Sequence, residues 1–371
     1  MTAPPVPVPR YGAGALPDLP ESVLATFGVA DAVNVLDLPA RPRVCVLIID
    51  GLGWELLHDH VAEAPFLASL ARRSLTAGFP STTATSLASL GTGLAPAGHG
   101  LLGYQVLVPG TGRLLNHLRW TDQVDPRVWQ PRRTAYERAS SAGVSVAYVA
   151  SRQYAGSGLS TATTRGADYT PADGLGQLVA QAETALQAGD RAYVTVYHPD
   201  LDSTGHAFGA GSPAWRHQLR FVDALAERVA EVLPPDTALY VTADHGMTNP
   251  TERVDAETTE ALGDGVALLG GEPRARHVYA APGAAADVLA AWRETLGDRV
   301  WVLPRDEAVA AGWFGEAPPE MVPRIGDVLA VPFADVAIVA PKAEPLESKL
   351  IGMHGSMVPA EQLVPLLTQP T

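Results

Sequence analysis

Residues Val44-Cys45-Val46-Leu47-Ile48-Ile49-Asp50-Gly51 carry the reading of the fold. A continuous apolar run rich in β-branched side chains suits a strand buried on both faces. The Asp-Gly pair that stops it sets a carboxylate at the carboxyl end of the strand, where open α/β sheets bind ligands. Similar runs recur at Val144–Val149, Ala192–Tyr197 and Ala238–Thr242. Helix-like stretches lie among them at Ala64–Arg73, Thr134–Ala142, Gly174–Ala188 and Ala214–Leu233, the last with Ser212 as its N-cap and Pro213 at the first helical position. This alternation predicts an α/β fold, a mostly parallel central sheet covered by helices. From Pro250 to Gly352 the pattern weakens to strands at His277–Ala281, Val300–Leu303, Val328–Val331 and Val336–Ala340 with a helix at Ala284–Thr295, which reads as a smaller α+β insertion. The expected organisation is an N-terminal extension over 1–40, a catalytic core over 41–250, the insertion over 251–350, and a return to the core over 351–371. The segment Gly110–Arg133, with Trp120 and Trp129 in polar surroundings, reads as a long loop bordering a substrate cleft.

Charge narrows the function classes. A net charge of −14 with 26 Lys and Arg argues against a nucleic-acid-binding surface, which needs clustered cations. A small anionic substrate needs only local positive charge, and bound metal ions supply that without altering an acidic exterior. The single cysteine, Cys45, sits within the first strand and reads as a packed thiol, so no disulfide framework or cysteine chemistry is expected. No run approaches the roughly 18 apolar residues of a membrane span. Met1–Pro20 lacks a basic segment followed by an apolar one, so the expected location is cytoplasmic, with no membrane partner. The oligomeric state is left open.

The chemistry-bearing residues cluster at strand ends. Asp50 alone is what any strand-ending turn could show. After the third of these runs come Asp202 and His206, four apart, a spacing that lets a carboxylate and an imidazole converge on one ion across a helical turn. The fourth run ends in Asp244-His245-Gly246, and two adjacent ligands on an irregular turn can both face one ion, whereas a continuing strand would send them to opposite faces. A late loop, Met353-His354-Gly355, adds another imidazole. Three Asp and three His from three strand ends and one loop form a set that chance rarely assembles. Two divalent ions would balance three carboxylates and one deprotonated hydroxyl while staying electrophilic toward phosphate oxygens. The hydroxyl candidates lie in Ser81-Thr82-Thr83-Ala84-Thr85, a turn leading into a small-residue helix that ends near Gly91-Thr92-Gly93. Such residues often only cap a helix. A helix N-terminus also favours an anion, and a metal beside it turns a Thr hydroxyl into a nucleophile.

These blocks together resemble the alkaline phosphatase superfamily, most closely its type I phosphodiesterase/nucleotide pyrophosphatase branch, over Val44–Tyr104, Val194–Gly209, Leu239–Thr248 and Gly352–Met357. The resemblance implies an alkaline phosphatase-like fold and two divalent ions, zinc or manganese. One is expected on Asp202, His206 and His354, the other on Asp50, Asp244, His245 and Thr83. Family members carry the nucleophile nine residues before the Thr of a Thr-Gly pair, which selects Thr83 over Thr82 because Thr92-Gly93 follows at that distance. Pro96, His99 and Gly100 fall on the family's Pro-x-x-His-Gly segment, but an expected Asn five residues after the His is Tyr104, a candidate substrate contact. The expected function is hydrolysis of a small phosphodiester or pyrophosphate through a phospho- or nucleotidyl-threonine. The alternatives are a phosphomonoesterase or phosphomutase, with Arg152 or Arg165 meeting the extra charge, or a metal-stabilised binding module without catalysis.

Overall fold

The computed structural model describes residues 4–121 and 123–369. Residues 1–3 of the expected N-terminal extension and 370–371 of the expected return segment lie outside them.

A seven-stranded sheet organises the larger part of the chain, in the spatial order Ala71–Thr76, Leu363–Thr368, Thr237–Thr242, Arg43–Ile49, Ala192–His198, Ser145–Ala150, Asp168–Pro171. Arg43–Ile49 is central, paired in parallel with Ala192–His198 on one side and Thr237–Thr242 on the other. Both flanks being occupied explains its unbroken apolar run, since each face meets helices rather than water. Leu363–Thr368 alone runs against its neighbours. Helices Leu175–Leu186 and Pro213–Glu231 cover the sheet with Leu178, Ala182, Leu186, Leu219, Val222 and Val229 buried. Ser212 caps the second by accepting from the Trp215 N–H, with Pro213 at the first position, as expected from sequence. The helix Asp18–Thr26 buries Leu19, Val23 and Leu24 in the same core.

Two expectations are corrected. Ala64–Arg73 is not one helix: it is helical only over Pro65–Ser69, after which Ala71–Thr76 forms an edge strand paired with Leu363–Thr368. Helix-favouring Ala, Leu and Arg lose here to a pairing partner supplied by the far end of the chain, a non-local effect that local propensity does not encode. Gly110–Arg133 is not a bare loop, since it holds the strand Arg113–Asn116, hairpinned to Gln105–Val108, and the short helix Pro126–Trp129.

A second sheet, antiparallel throughout, runs in the order Val266–Glu272, Ala275–Ala280, Val328–Pro332, Val300–Pro304. Its side chains alternate with the pleat. Val300, Val302, Val328 and Ala330 pack with Trp292 of the helix Ala285–Leu296, whereas Trp301, Leu329 and Val331 face the other way, onto Phe79, Trp313 and Phe314. The second layer is thereby seated beside the helix Thr83–Thr92, whose Ala88 belongs to the same cluster.

One buried ion pair fastens this sheet to the carboxyl edge of the first. Arg274, in the turn between Val266–Glu272 and Ala275–Ala280, donates from Nε to Glu361 Oε1 at 2.9 Å and from Nη1 to the carbonyls of Ala334 and Val336 at 2.8 and 2.6 Å. Glu361 Oε2 accepts from the Ser356 N–H at 2.8 Å, two residues past His354, and Thr248 Oγ1 donates to Oε1 at 3.2 Å, three past His245. Glu361 is fully buried and Arg274 is 2% exposed. Removing one partner strands the other charge, so Glu361→Ala is expected to lose about 3–5 kcal/mol in chemical denaturation. Replacing both partners together, Arg274→Met with Glu361→Leu, should lose markedly less; equal losses for the single and double variants would show that the pair's charge is not what matters.

Candidate active site

The carboxyl edge of the large sheet gathers side chains from five places. Asp50 follows the central strand and continues its ladder, its N–H donating to the His198 carbonyl at 3.0 Å. Asp202 and His206 stand one turn apart on the helix Asp200–Phe208, which leaves the end of Ala192–His198 directly. Asp244 and His245 follow Thr237–Thr242, and His354 arrives on the loop before the last strand. Thr83 is the first residue of the helix Thr83–Thr92, with Thr82 extended at the N-cap and no side chain capping the end. Capping is therefore not the use of these hydroxyls: Ser81 donates to the Ser356 carbonyl at 2.6 Å, and Thr83 Oγ1 lies 3.1 Å from His245 Nε2.

The three imidazoles are oriented alike. Nδ1 of His206, His245 and His354 lies 2.8, 2.9 and 3.0 Å from the carbonyls of Gly352, Gly246 and Ser81. A carbonyl only accepts, so Nδ1 carries the proton in each ring and Nε2 presents its lone pair to the cluster. Those lone pairs meet carboxylate oxygens. His206 Nε2 is 3.2 Å from Asp202 Oδ2, His354 Nε2 is 3.9 Å from Asp202 Oδ1, and His245 Nε2 is 3.4 Å from Asp50 Oδ1 and 3.5 Å from Asp244 Oδ2. The His245 and His354 rings stack at 3.6 Å.

Acceptors facing acceptors need positive charge between them. Asp50 Oδ1, Asp202 Oδ1 and Asp244 Oδ2 are buried with no hydrogen-bond partner among the described residues. Burial, then Asp244 and Asp202, push the Asp50 carboxyl well above its usual range; burial also raises Asp244, with His245 opposing. Burial disfavours a charged His206, but Asp202 beside it outweighs this and lifts the ring to about 9. Donor atoms of Asp202, His206 and His354 lie within 4.8 Å of one another, as do those of Asp50, Asp202 and His245. The residues present thus fit two adjacent divalent cations, with Asp202 common to both groups.

Two cavities meet at Thr83, Leu118 and Asp202, which line both. The larger, about 500 Å³, is walled by Tyr148, Tyr154, Tyr169 and Tyr197, and among the described residues neither Lys nor Arg lines it. The smaller, about 260 Å³, takes in His206, His354, Tyr104, Arg119, Glu272 and Glu347. Tyr104 donates to Glu347 Oε1 at 2.7 Å, so it stands at the site with its proton committed to that acceptor. Arg152 pairs with Asp173 and Arg165 with Glu137 and nearby carbonyls, and neither lines the cavities. Trp120 and Trp129 do not wall the cleft either. Trp120 donates to the Val124 carbonyl and Trp129 to His117 Nε2, the latter ring lying beneath the Arg324 guanidinium, and it is Leu118 and Arg119 of this segment that border the cavity. His99 is fully buried, its Nδ1 accepting from the Leu101 N–H, and serves packing.

Two residues at the site escape a reading of the sequence. Tyr197, inside an apolar strand, donates to Asp50 Oδ2. Glu272, an isolated acid ending a strand, lies buried against Thr82 and 3.9 Å from His354 Nδ1, its carboxyl raised by burial to about 8. Only the register of the sheets brings either one here.

Residues 44–357 match the family described as Type I phosphodiesterase / nucleotide pyrophosphatase. Human ectonucleotide pyrophosphatase/phosphodiesterase family member 7 is 26% identical over 234 residues, taking in 58% of this chain and 50% of that protein, so the chain spans about half the length of the curated relative it matches. Among solved structures, murine ectonucleotide pyrophosphatase/phosphodiesterase 5 superposes with a TM-score of 0.71 at 18% identity, covering 88% of each chain; an inactive form of it is in complex with AMP. Phosphonoacetate hydrolase from Sinorhizobium meliloti 1021, in complex with phosphonoformate, superposes with a TM-score of 0.65 at 19% identity, covering 89% of this chain and 90% of that one.

The tightness of the edge is itself testable at Gly51. Its φ is +75°, and a Cβ there would stand 2.9 Å from Asp202 Cβ and 3.0 Å from its Cα. Gly51→Ala combines a left-handed conformation, costing roughly 1–2 kcal/mol, with a displacement of the helix start bearing Asp202. The expected result is a lowered Tm together with loss of bound divalent cation on gel filtration. Full retention of cation would mean that Asp202 need not hold this position.

Proposed function

The chain belongs to the type I phosphodiesterase/nucleotide pyrophosphatase family, and from that premise we propose that it is a metal-dependent hydrolase cleaving a phosphodiester or pyrophosphate bond with Thr83 as nucleophile. The observation that carries the reading is Thr83 itself. Its hydroxyl sits at a helix N-terminus, 3.1 Å from His245 Nε2, on the border of both cavities and beside three partnerless carboxylate oxygens. Thr82 lines only the smaller cavity and faces Glu272, which gives it another task.

Asp202, His206 and His354 would hold one divalent ion, and Asp50, Asp244, His245 and Thr83 the other, with Asp202 within reach of both. Bound there, such ions polarise phosphate oxygens and favour the ionised hydroxyl. Zinc suits the mixed imidazole and carboxylate donors, and manganese is the alternative. The chain's own groups do the rest. Thr83 Oγ1 attacks phosphorus in line with the leaving oxygen, the phosphorus–oxygen bond to the leaving group breaks, and a phospho- or nucleotidyl-threonine forms. Water then displaces Thr83 and restores its hydroxyl. The N–H groups at the start of Thr83–Thr92 face the phosphate oxygens. Tyr197 and the Gly51 N–H, by donating to Asp50 and Asp244, keep those carboxylates aimed at the centre. Arg152 and Arg165 are engaged elsewhere, no guanidinium lines the larger cavity, and Arg119 at the smaller one is paired with Glu347 at 3.5 Å, which favours a diester or pyrophosphate over a monoester with its additional charge.

Thr83→Ala should therefore abolish turnover of bis-p-nitrophenyl phosphate while keeping fold and cation content, and Thr82→Ala should remain active. The reverse pattern would move the nucleophile by one residue. His354→Ala should reduce elemental analysis toward one divalent ion per chain, because Asp202 and His206 alone make a weak protein ligand set; two retained ions would remove His354 from the site. For the unsubstituted protein kcat/KM should favour bis-p-nitrophenyl phosphate over p-nitrophenyl phosphate. A monoester preference of about tenfold, or about 1.4 kcal/mol of transition-state discrimination, would reverse the substrate class.

A further inference from the structure

At the opposite, amino edge of the large sheet lies a third cavity of about 380 Å³ with no part in the chemistry above. It opens where Thr237–Thr242 begins and the antiparallel strand Leu363–Thr368 ends, roofed by the segment that leads into the central strand. On a chain carrying −14 overall, its lining collects Arg41, Arg72 and Arg73 against a single acid, Asp37.

Register shows which of these share a face. Arg73 pairs with Leu366, Leu366 with Thr242, and Thr368 with Tyr240. Directly opposed residues and residues two apart point the same way, so Arg73 and Tyr240 project from one face of the sheet. Arg72 projects from the other and contributes the charge that keeps an edge strand from pairing with another chain. Arg73 donates to the Leu36 carbonyl, which ties it to the roof. Arg41, on the roof itself, has no hydrogen bond or ion pair among the described residues. The floor is Tyr240, 2% exposed, whose hydroxyl is buried and has no hydrogen-bond partner among the described residues. Arg41 and Arg73 both act on that hydroxyl electrostatically: burial raises it to about 12, and the two guanidiniums pull against the rise.

A buried hydroxyl without a partner is a donor awaiting an acceptor. Two guanidiniums beside it add planar arrays of N–H donors suited to tetrahedral oxyanions, and Leu36, Leu38 and Leu366 keep the base of the cavity apolar, where such contacts are strongest. We propose that this cavity is a binding site for a small dianion of the phosphate class, held by Arg41, Arg73 and the Tyr240 hydroxyl, and separate from the hydrolytic centre. The volume admits a substituted phosphate as well as the bare ion. Ligation here bridges the roof segment, the edge strand and the strand that leads to Asp244, so occupancy braces the sheet without touching the reacting groups.

The test is calorimetric titration of inorganic phosphate, and in a second arm methylphosphonate, into the metal-loaded chain, Tyr240→Phe and the double variant Arg41→Gln/Arg73→Gln. The hydrolytic cleft is common to all three proteins, so differences between them report on the amino edge. The expected result is one fewer phosphate bound by the double variant, affinity at that site lowered about threefold to tenfold in Tyr240→Phe, and bis-p-nitrophenyl phosphate turnover in phosphate-free buffer unchanged in both. Methylphosphonate binding at the same site would extend it to substituted phosphates, and its failure would narrow the ligand to the free ion. Should the double variant misfold, Tyr240→Phe decides alone, since it removes one oxygen from a group that bonds to nothing else in the described chain. Identical titrations of Tyr240→Phe and the unsubstituted chain would overturn the assignment.

Discussion

Everything at the candidate active-site edge depends on crowding three carboxylates and three imidazoles together, with Asp50 Oδ1, Asp202 Oδ1 and Asp244 Oδ2 left without hydrogen-bond partners among the described residues. Such a cluster is unfavourable in isolation, because buried charges of one sign repel in a medium that screens them poorly. The fold imposes it through partners that all lie on the outer side. Carbonyls of Gly352, Gly246 and Ser81 fix the imidazole protons outward, and Tyr197 and the Gly51 N–H occupy the outward oxygens of Asp50 and Asp244. What remains points inward, where divalent cations would satisfy it. The site is thus specified as much by the donors around the ligands as by the ligands themselves.

How much of this the sequence discloses follows from how local each signal is. The strands around Val44–Ile49, Val144–Val149, Ala192–Tyr197 and Ala238–Thr242 are legible because complete burial writes continuous apolar runs, and Ser212-Pro213 is legible because a cap is a local hydrogen bond. The candidate ligands could be collected because each sits at the end of such a run or one helical turn beyond it, and Thr83 because helix starts have a local grammar. The edge strand Ala71–Thr76 is illegible for the converse reason: its partner is Leu363–Thr368, and nothing within a short window announces that pairing. Tyr197 and Glu272 were hidden in the same way. Within their own strands they look like an ordinary core tyrosine and an ordinary terminal acid, and only the assembled register makes one a partner of Asp50 and the other a wall beside His354.

The smaller sheet bears on the site through mechanical support more than through chemistry. Its alternating faces set Trp301, Leu329 and Val331 against the cluster that also buries Ala88 of the helix Thr83–Thr92. Arg274 reaches across to Glu361, whose second oxygen holds the backbone just past His354. A layer that contributes Glu272 and Pro273 to the cavity wall therefore also steadies the helix of Thr83 and the loop of His354, two parts of the centre that the large sheet does not carry on its parallel strands.

The antiparallel strand Leu363–Thr368 has a consequence in time. Arg73 is hydrogen-bonded neighbour to Leu366, so the edge strand waits for a partner made 293 residues later (366 minus 73). Pairings of such long sequence separation close late, because the loop entropy must be met before the contact returns anything. His354 lies only nine residues before Leu363, so the final imidazole and the final strand arrive together. During synthesis the chain therefore passes through a long interval with Asp50, Asp202 and Asp244 present and the third imidazole missing. The last strand acts as a closing latch: the ribosome must finish this part of the message before the full set of candidate ligands stands together at the edge.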